Sequence, residues 1–392
     1  MTHAGGEFLL RYLDALATQH QVMLLAPGTG ANKQIANRCP EEIDLHLWPV
    51  EAPRHGPGSG FRQRVLSNVG GLASFVSPAT VRSFSEDPRV RAILADSQVV
   101  ELQWPENLAF VRAVKRIDPA VPLTAFLYDV LSQSMGRQLL VDERDAARRF
   151  ARKCNRALVV RQERKRLNEC AAIFVLSEKD RAILENIGVR APIHVLDPLV
   201  SFGLEMSPGP VGRMKKKILF TGAMHRPENF RSMLWFIDQV WPAVLDRAPD
   251  ATLVVAGADP PEILRRRSSS SVTITGFVPD LRSFYEDADV FVAPLLTGAG
   301  VKFKILDAMG AGLPVVATPV AVEGIVEESG PSLFALISVD PDEIAKSIIA
   351  LIDDGAAARR IGKLGKEWVT ARYSFSDGVK RAVGIYDAIQ RA

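Results

Sequence analysis

The chain has 392 residues, 47% of them hydrophobic and 24% charged, with a formal net charge of +3; at roughly 150 residues per domain this length implies two units rather than one. The small net charge argues against a nucleic-acid partner, and the ordinary composition argues against disorder. Three scattered cysteines, Cys39, Cys154 and Cys170, exclude both a disulfide framework and a zinc site.

The opening MTHAGGEFLLRYLDAL has neither the basic nor the apolar region of a secretion signal, and no run approaches 18 apolar residues, so the expected compartment is the cytoplasm. Its apolar spacing predicts a helix over Glu7–Thr18, opened by Ala4-Gly5-Gly6. A Rossmann-like half ordinarily starts with a strand running into a glycine turn, so its first strand is expected to be missing here. Either the true start lies upstream or the sheet is built without that strand.

From there β-branched runs alternate with amphipathic stretches, the pattern of parallel strands joined by helices, and the fold class is α/β. Strands are predicted at Gln21–Ala26, Ile43–Val50, Gln98–Leu102, Val121–Leu127, Ala171–Leu176 and Ile193–Leu196, with a long helical stretch across 140–168. Gly and Pro density marks Pro53–Gly60 as an exposed loop. Two carboxylates fall near strand ends, Glu101 before Trp104-Pro105 and Asp129 after Val121–Leu127. Asp129 is a candidate catalytic residue that polarises an acceptor hydroxyl or meets a donor sugar; alternatively it caps the next helix. Ser177, three residues before Asp180, reads as a helix cap. Ten basic residues between Arg144 and Arg166 form either a solvated helix face or a contact for an anionic acceptor or the inner membrane surface.

Near Ser201–Gly212 the pattern dissolves into Gly, Pro and Ser, as in a linker. This divides the chain into 1–205, 206–372 and a closing helix over 373–392. After Met214–Lys217 the alternation restarts, with strands predicted at Ile218–Thr221, Thr252–Ala256, Val272–Thr275, Val290–Ala293, Pro314–Thr318 and Leu333–Ile337, and a helix over about 229–247.

The stretch that carries chemistry is Asp287–Gly324. A strand ends at Pro294, the turn Gly298-Ala299-Gly300-Val301 follows, and Lys302–Met309 reads as a helix starting beneath it. Amides at a glycine turn and a helix N-terminus make a site for anions, and Lys302 on the first turn can reach a diphosphate. Lys304 either joins it or lies on the solvent face. In the loop 221–229, Gly222, His225 and Arg226 are candidates for diphosphate or sugar contacts, while Asn229 reads as a cap of the following helix.

With these blocks, and with Thr275–Asp280, Pro314–Thr318 and Glu323-Gly324, the C-terminal half resembles the GT-B glycosyltransferases, specifically the retaining family 4 and its group 1 domain. The resemblance implies two Rossmann-like domains facing each other across a cleft, closed by a helix that crosses back. It implies turn amides on the diphosphate of a nucleoside diphosphate sugar, Asp307 on the ribose, and backbone near Gly276, Phe277 and Val278 on the base. Many members carry two glutamates seven residues apart; Ala299 and Asp307 stand there, so the first carboxylate is absent. At Tyr128, related enzymes often have a histidine. The resemblance further implies sugar transfer to a glycan, lipid-linked or small-molecule acceptor with retention, no tightly bound cofactor and no metal, with Lys302 as a second catalytic residue. The rival readings are a sugar-nucleotide epimerase of the same fold and a non-catalytic nucleotide-sugar-binding subunit.

Overall fold

The computed structural model describes residues 4–50, 70–141, 146–196, 198, 214–326, 330–373 and 375–391. The predicted loop Pro53–Gly60 and linker Ser201–Gly212 lie outside them, as does Arg144. The chain forms two compact units, one of Leu9–Leu196 with Ser376–Ala392, the other of Asp197–Phe375 with Met1–Phe8.

Twelve strands are described, and each falls on a predicted run. β1 (Met23–Pro27) and β2 (Asp44–Trp48) form a parallel pair, while β3 (Val100–Gln103), β4 (Leu123–Leu127), β5 (Ala172–Val175) and β6 (Ile193–Val195) form a parallel sheet in that order. The second unit holds β7 (Lys217–Thr221), β8 (Thr252–Ala256), β9 (Val272–Ile274), β10 (Val290–Ala293), β11 (Val315–Ala317) and β12 (Leu336–Ile337). These pair in the order β12-β11-β10-β7-β8-β9, all parallel. Every residue of β4, β5 and β10 is buried, which is why they read as unbroken apolar runs: helices cover both faces of a parallel sheet.

The helices depart more from expectation. The stretch predicted over 229–247 is two helices, Pro227–Gln239 and Trp241–Arg247, because Pro242 supplies no N–H to continue the first. The stretch across 140–168 is helical over Ala146–Leu167, and a further helix covers Leu131–Val141. The first helix spans Ala4–Ala17 and the last Phe375–Arg391. Within the N-terminal unit these two are joined by a hydrogen bond between the Tyr12 and Tyr386 hydroxyls, 2.6 Å long.

One feature of the six-stranded sheet positions a site. From β7 the chain moves outward through β8 and β9, then returns to the other side of β7 as β10. The strand order reverses between β7 and β10, and the loops leaving their carboxyl ends diverge there, the place where open parallel sheets bind ligands.

Candidate functional site

At this switch point the loop after β7 is Gly222–Arg226 and the turn after β10 is Gly298–Val301. Backbone packing is close: a Cβ on Gly257, at the end of β8, would lie 1.7 Å from the Gly222 carbonyl oxygen. A Cβ on Gly222 would in turn lie 2.6 Å from Lys304 Nζ and 3.0 Å from Asn229 Nδ2. At Gly257 the clash is with backbone, so the loop must move to admit a side chain; at Gly222 it is with the ends of two side chains. Gly298 and Gly300 both have positive φ, 133° and 67°, which lets the turn fold back over the start of the helix Phe303–Gly310.

Lys302 sits one residue earlier than predicted. It is the N-cap of that helix, not part of its first turn, and is only 8% exposed. Its ammonium donates to the Gly300 carbonyl at 2.7 Å, beneath the turn. Asp307, one turn into the helix, is 4% exposed, and its charge adds to the burial that raises the Tyr285 hydroxyl well above its ordinary range. Tyr285 bonds Thr221 Oγ1, the last residue of β7, at 2.8 Å.

Asn229 does not cap its helix; Arg226 occupies that position, without a side-chain bond. Asn229 is 5% exposed, donates from Nδ2 to the Ala223 carbonyl at 2.8 Å, and accepts from Lys304 Nζ at 2.8 Å. It fixes the loop and holds the lysine. Lys304, which the sequence left between the diphosphate and the solvent face, turns inward, its ammonium 4.3 Å from the centre of the Phe220 ring. Part of the residue reaches the surface, but the amine is enclosed. Burial pushes it down to about 7, opposed by Glu228 and aided by Arg226 and Lys302.

Of the remaining predicted contacts, His225, Arg226 and Phe277 are exposed. His225 lies 3.7 Å from Asp259, and Arg226 lies 3.7 Å from Glu228. Phe277, 61% exposed, follows Gly276, whose carbonyl accepts from Gly257 N at 3.1 Å; Val278 is half-buried. Gly222, His225, Arg226, Gly298, Ala299, Gly300, Val301, Lys302 and Asp307 thus belong to two loops and one helix at the ends of adjacent strands.

The N-terminal unit presents a different end. Asp129 follows β4 and is half-buried; the first amide of the next helix, Leu131 N, is taken by Glu163 Oε1 at 3.0 Å. Trp104, after β3, has φ 64° and stacks on Tyr128 at 5.4 Å. The Tyr128 hydroxyl donates to Gln103 Oε1 at 3.0 Å. Glu101 lies within β3 rather than ending it, and accepts from Gln103 Nε2 at 2.5 Å and from the Tyr386 hydroxyl. Burial pushes its carboxyl up to about 7, against the hydrogen bonds from Tyr386, Gln103 and Thr124. Its bond to the last helix is a partnership that no local pattern announces. Ser177 caps its helix as predicted, accepting from Asp180 N at 3.1 Å.

Among the described residues no group of His, Cys, Asp and Glu is placed to hold a metal, and no helix is long and apolar enough to cross a membrane. Arg149, Lys153, Arg156, Arg161, Arg164 and Lys165 lie exposed on the helix Ala146–Leu167, with Phe150 70% exposed among them.

Residues 215–354 match the family model of the glycosyl transferases group 1. The chain is 27% identical over 203 residues to an uncharacterized 44.6 kDa protein in the cps region of Klebsiella pneumoniae, covering 49% of this chain and 50% of that one. It is 30% identical over 146 residues to a GDP-mannose-dependent alpha-(1-6)-phosphatidylinositol monomannoside mannosyltransferase of Mycobacterium tuberculosis, covering 34% and 38%. These matches span about half or less of the curated relatives' length. The fold extends further. The sucrose-phosphate synthase of Thermosynechococcus elongatus superposes with a TM-score of 0.70 at 16% identity, over 97% of this chain and 92% of that one. Anabaena Alr3699/HepE, in complex with UDP and glucose, gives 0.70 at 15% identity, over 99% and 97%. The fold is that of the GT-B glycosyltransferases.

Proposed function

We propose that the chain is a glycosyltransferase that moves a hexose or hexosamine unit from a nucleoside diphosphate sugar to an acceptor hydroxyl, with the donor held on the C-terminal unit. One observation carries this reading: at the β7/β10 switch point, inside the stretch that matches the group 1 model, a glycine turn, a helix start, Lys302 and Arg226 converge. In this reading the amides of Gly298, Ala299, Gly300 and Val301 meet the diphosphate, with Lys302 beneath them and Gly222, His225 and Arg226 alongside. Asp307 takes the ribose hydroxyls, and Phe277 and Val278 lie against the base. Fixed charges and amides aimed at the departing diphosphate stabilise it without reorganising, so the reading gives that work to the protein rather than to a metal. Retention of anomeric configuration is taken from the family resemblance.

On the acceptor side, Asp129 stands at the carboxyl end of β4, within reach of groups brought to that edge. The acceptor is a glycan, a lipid-linked sugar or a small molecule. The cationic face of Ala146–Leu167, with Phe150 exposed on it, suits an anionic acceptor or the inner surface of a membrane, which also fits a cytoplasmic enzyme.

The test is the thermal midpoint with a panel of UDP-, GDP-, ADP- and TDP-sugars, for the parent, Lys302→Ala and Asp307→Ala. A donor at a hundred times its Kd adds about 2.7 kcal/mol, a rise of about 5 °C or more for a unit of this size. The expected result is a selective rise with one nucleotide, abolished by both substitutions. No rise with any donor overturns the reading. Release of free nucleotide on adding acceptor then separates a transferase from an epimerase or a binding subunit.

A further inference from the structure

The C-terminal unit encloses a cation that the reading above does not use. Lys304 Nζ has three N–H donors, yet its contacts are Asn229 Oδ1 at 2.8 Å and the face of Phe220. Among the described residues no carboxylate lies within ion-pair distance of it. Its charged surroundings are Arg226 and Glu228 on the loop and helix after β7 and Lys302 at the turn after β10. The one carboxylate among them, Glu228, lies 3.7 Å from Arg226 and not at Lys304. Burying an ammonium without a counter-ion is costly, and an interior amine answers by shedding its proton. The missing side chain at Gly222 leaves the amine just under the loop, since any Cβ there would lie 2.6 Å from Nζ. Asn229, tied to the Ala223 carbonyl, keeps it pointed at that place.

We propose that Lys304 is a reserve cation of the diphosphate site, held under Gly222, and that it takes up a proton from solvent when the anion binds. The inference rests on the donor-site reading. No bond of the sugar is made or broken in this step; a neutral amine becomes an ammonium whose counter-charge is the diphosphate. Lys304 is a positioning residue that strengthens donor binding, and the linkage has a defined sign. Below about 7, where burial has set the amine, the charge is already present and affinity is flat. Above it, affinity falls by up to about tenfold per pH unit until the pKa of the bound state is reached.

The experiment is calorimetry on the full chain with UDP-glucose and GDP-mannose, whose esterified diphosphates carry no group that titrates near neutrality. It is run at pH 8 in HEPES and in Tris, so that the difference in binding heat counts protons. The parent is expected to take up between about a half and one proton per donor bound. Lys304→Met keeps the volume without the charge and is expected to bind more weakly with no uptake. Lys304→Arg, permanently charged, is expected to recover affinity, again with no uptake and with affinity independent of pH between 7 and 8.5. Binding by the parent without uptake, or uptake that persists in Lys304→Met, overturns the inference while leaving the donor site standing. If neither nucleotide sugar binds at any pH, the donor-site reading falls. The inference falls with it; independently, carbon-13 signals of lysine ε-carbons in the free protein overturn the inference alone where Lys304 titrates near the ordinary 10.5.

Discussion

The two sheets end differently at their carboxyl edges. In the C-terminal unit β7, β8 and β10 run into Gly222, Gly257 and the Gly298–Gly300 turn, where main chain packs on main chain and Lys302, Lys304 and Arg226 gather. In the N-terminal unit β3 and β4 run into Trp104 and Tyr128, whose stacked rings sit beside a chain of hydrogen bonds from Tyr128 to Gln103 to Glu101 to Tyr386 to Tyr12. The first edge carries positive charge that wants an anion. The second satisfies its polar groups among themselves, so it supplies shape and rigidity more than charge. Similar parallel sheets thus support two kinds of surface, and the difference lies in whether the polar atoms at the strand ends are already partnered.

The sharpest way to break this contrast is to put a methyl group where the glycine edge has no room. Gly257→Ala places a carbon 1.7 Å from the Gly222 oxygen, which backbone cannot tolerate, so the loop after β7 must shift. Overpacking of this kind costs about 3 kcal/mol or more. A drop in thermal midpoint of roughly 6–12 °C, with loss of the response to nucleotide sugars, is the expected outcome of a melting series. A variant that melts like the parent and still responds would show that the edge is looser than its close packing implies.

The same contrast explains what the sequence could tell. Each described strand falls on a predicted run, and β4, β5 and β10 are the plainest, because a strand buried on both faces is a short apolar block visible without its neighbours. The glycine turn and helix start were equally readable, since they lie within ten residues, Gly298 to Asp307. Lys304 was harder. Its inward turn depends on Asn229, 75 residues away, and Asn229 reads from sequence as a cap because that residue type before a helix usually is one. Glu101 was hardest, as its partner Tyr386 lies 285 positions along the chain. Periodicity reports which face is buried; it does not report which polar group another element brings to it. The split at Val240 was legible in Pro242 and was missed because apolar spacing continues across it.

At the second edge the decisive group is Glu101. Its folded-state carboxyl is raised above the unfolded value of 4.5 to about 7, so the sign is fixed: its contribution is present in full below 4.5 and is lost as pH rises through 7. The size of that loss is about 3 kcal/mol. Glu101→Gln keeps the shape and removes the titration. Melting both proteins from pH 4.5 to pH 8 is expected to show the variant gaining on the parent as pH rises, by several degrees across the series. Parallel curves would mean that Glu101 is ionised without penalty and that this edge, too, carries charge.

The smallest expected effect is a control on both edges. Ser177 caps the helix Glu178–Asn186 from the end of β5, and its hydroxyl also donates to Asp180 Oδ2 at 2.9 Å. It stands at a strand's carboxyl end, where a binding residue would stand, but its hydrogen bonds are those of a cap. Ser177→Ala is expected to cost about 1 kcal/mol of stability, a fall in midpoint of roughly 2–4 °C, with nucleotide-sugar binding unchanged. Calorimetric titration of the variant checks the second half of that statement. If its affinity for the donor falls more than its stability does, position at the strand end outweighs the local hydrogen bonds, and the division between a charged edge and a self-satisfied one fails at this strand.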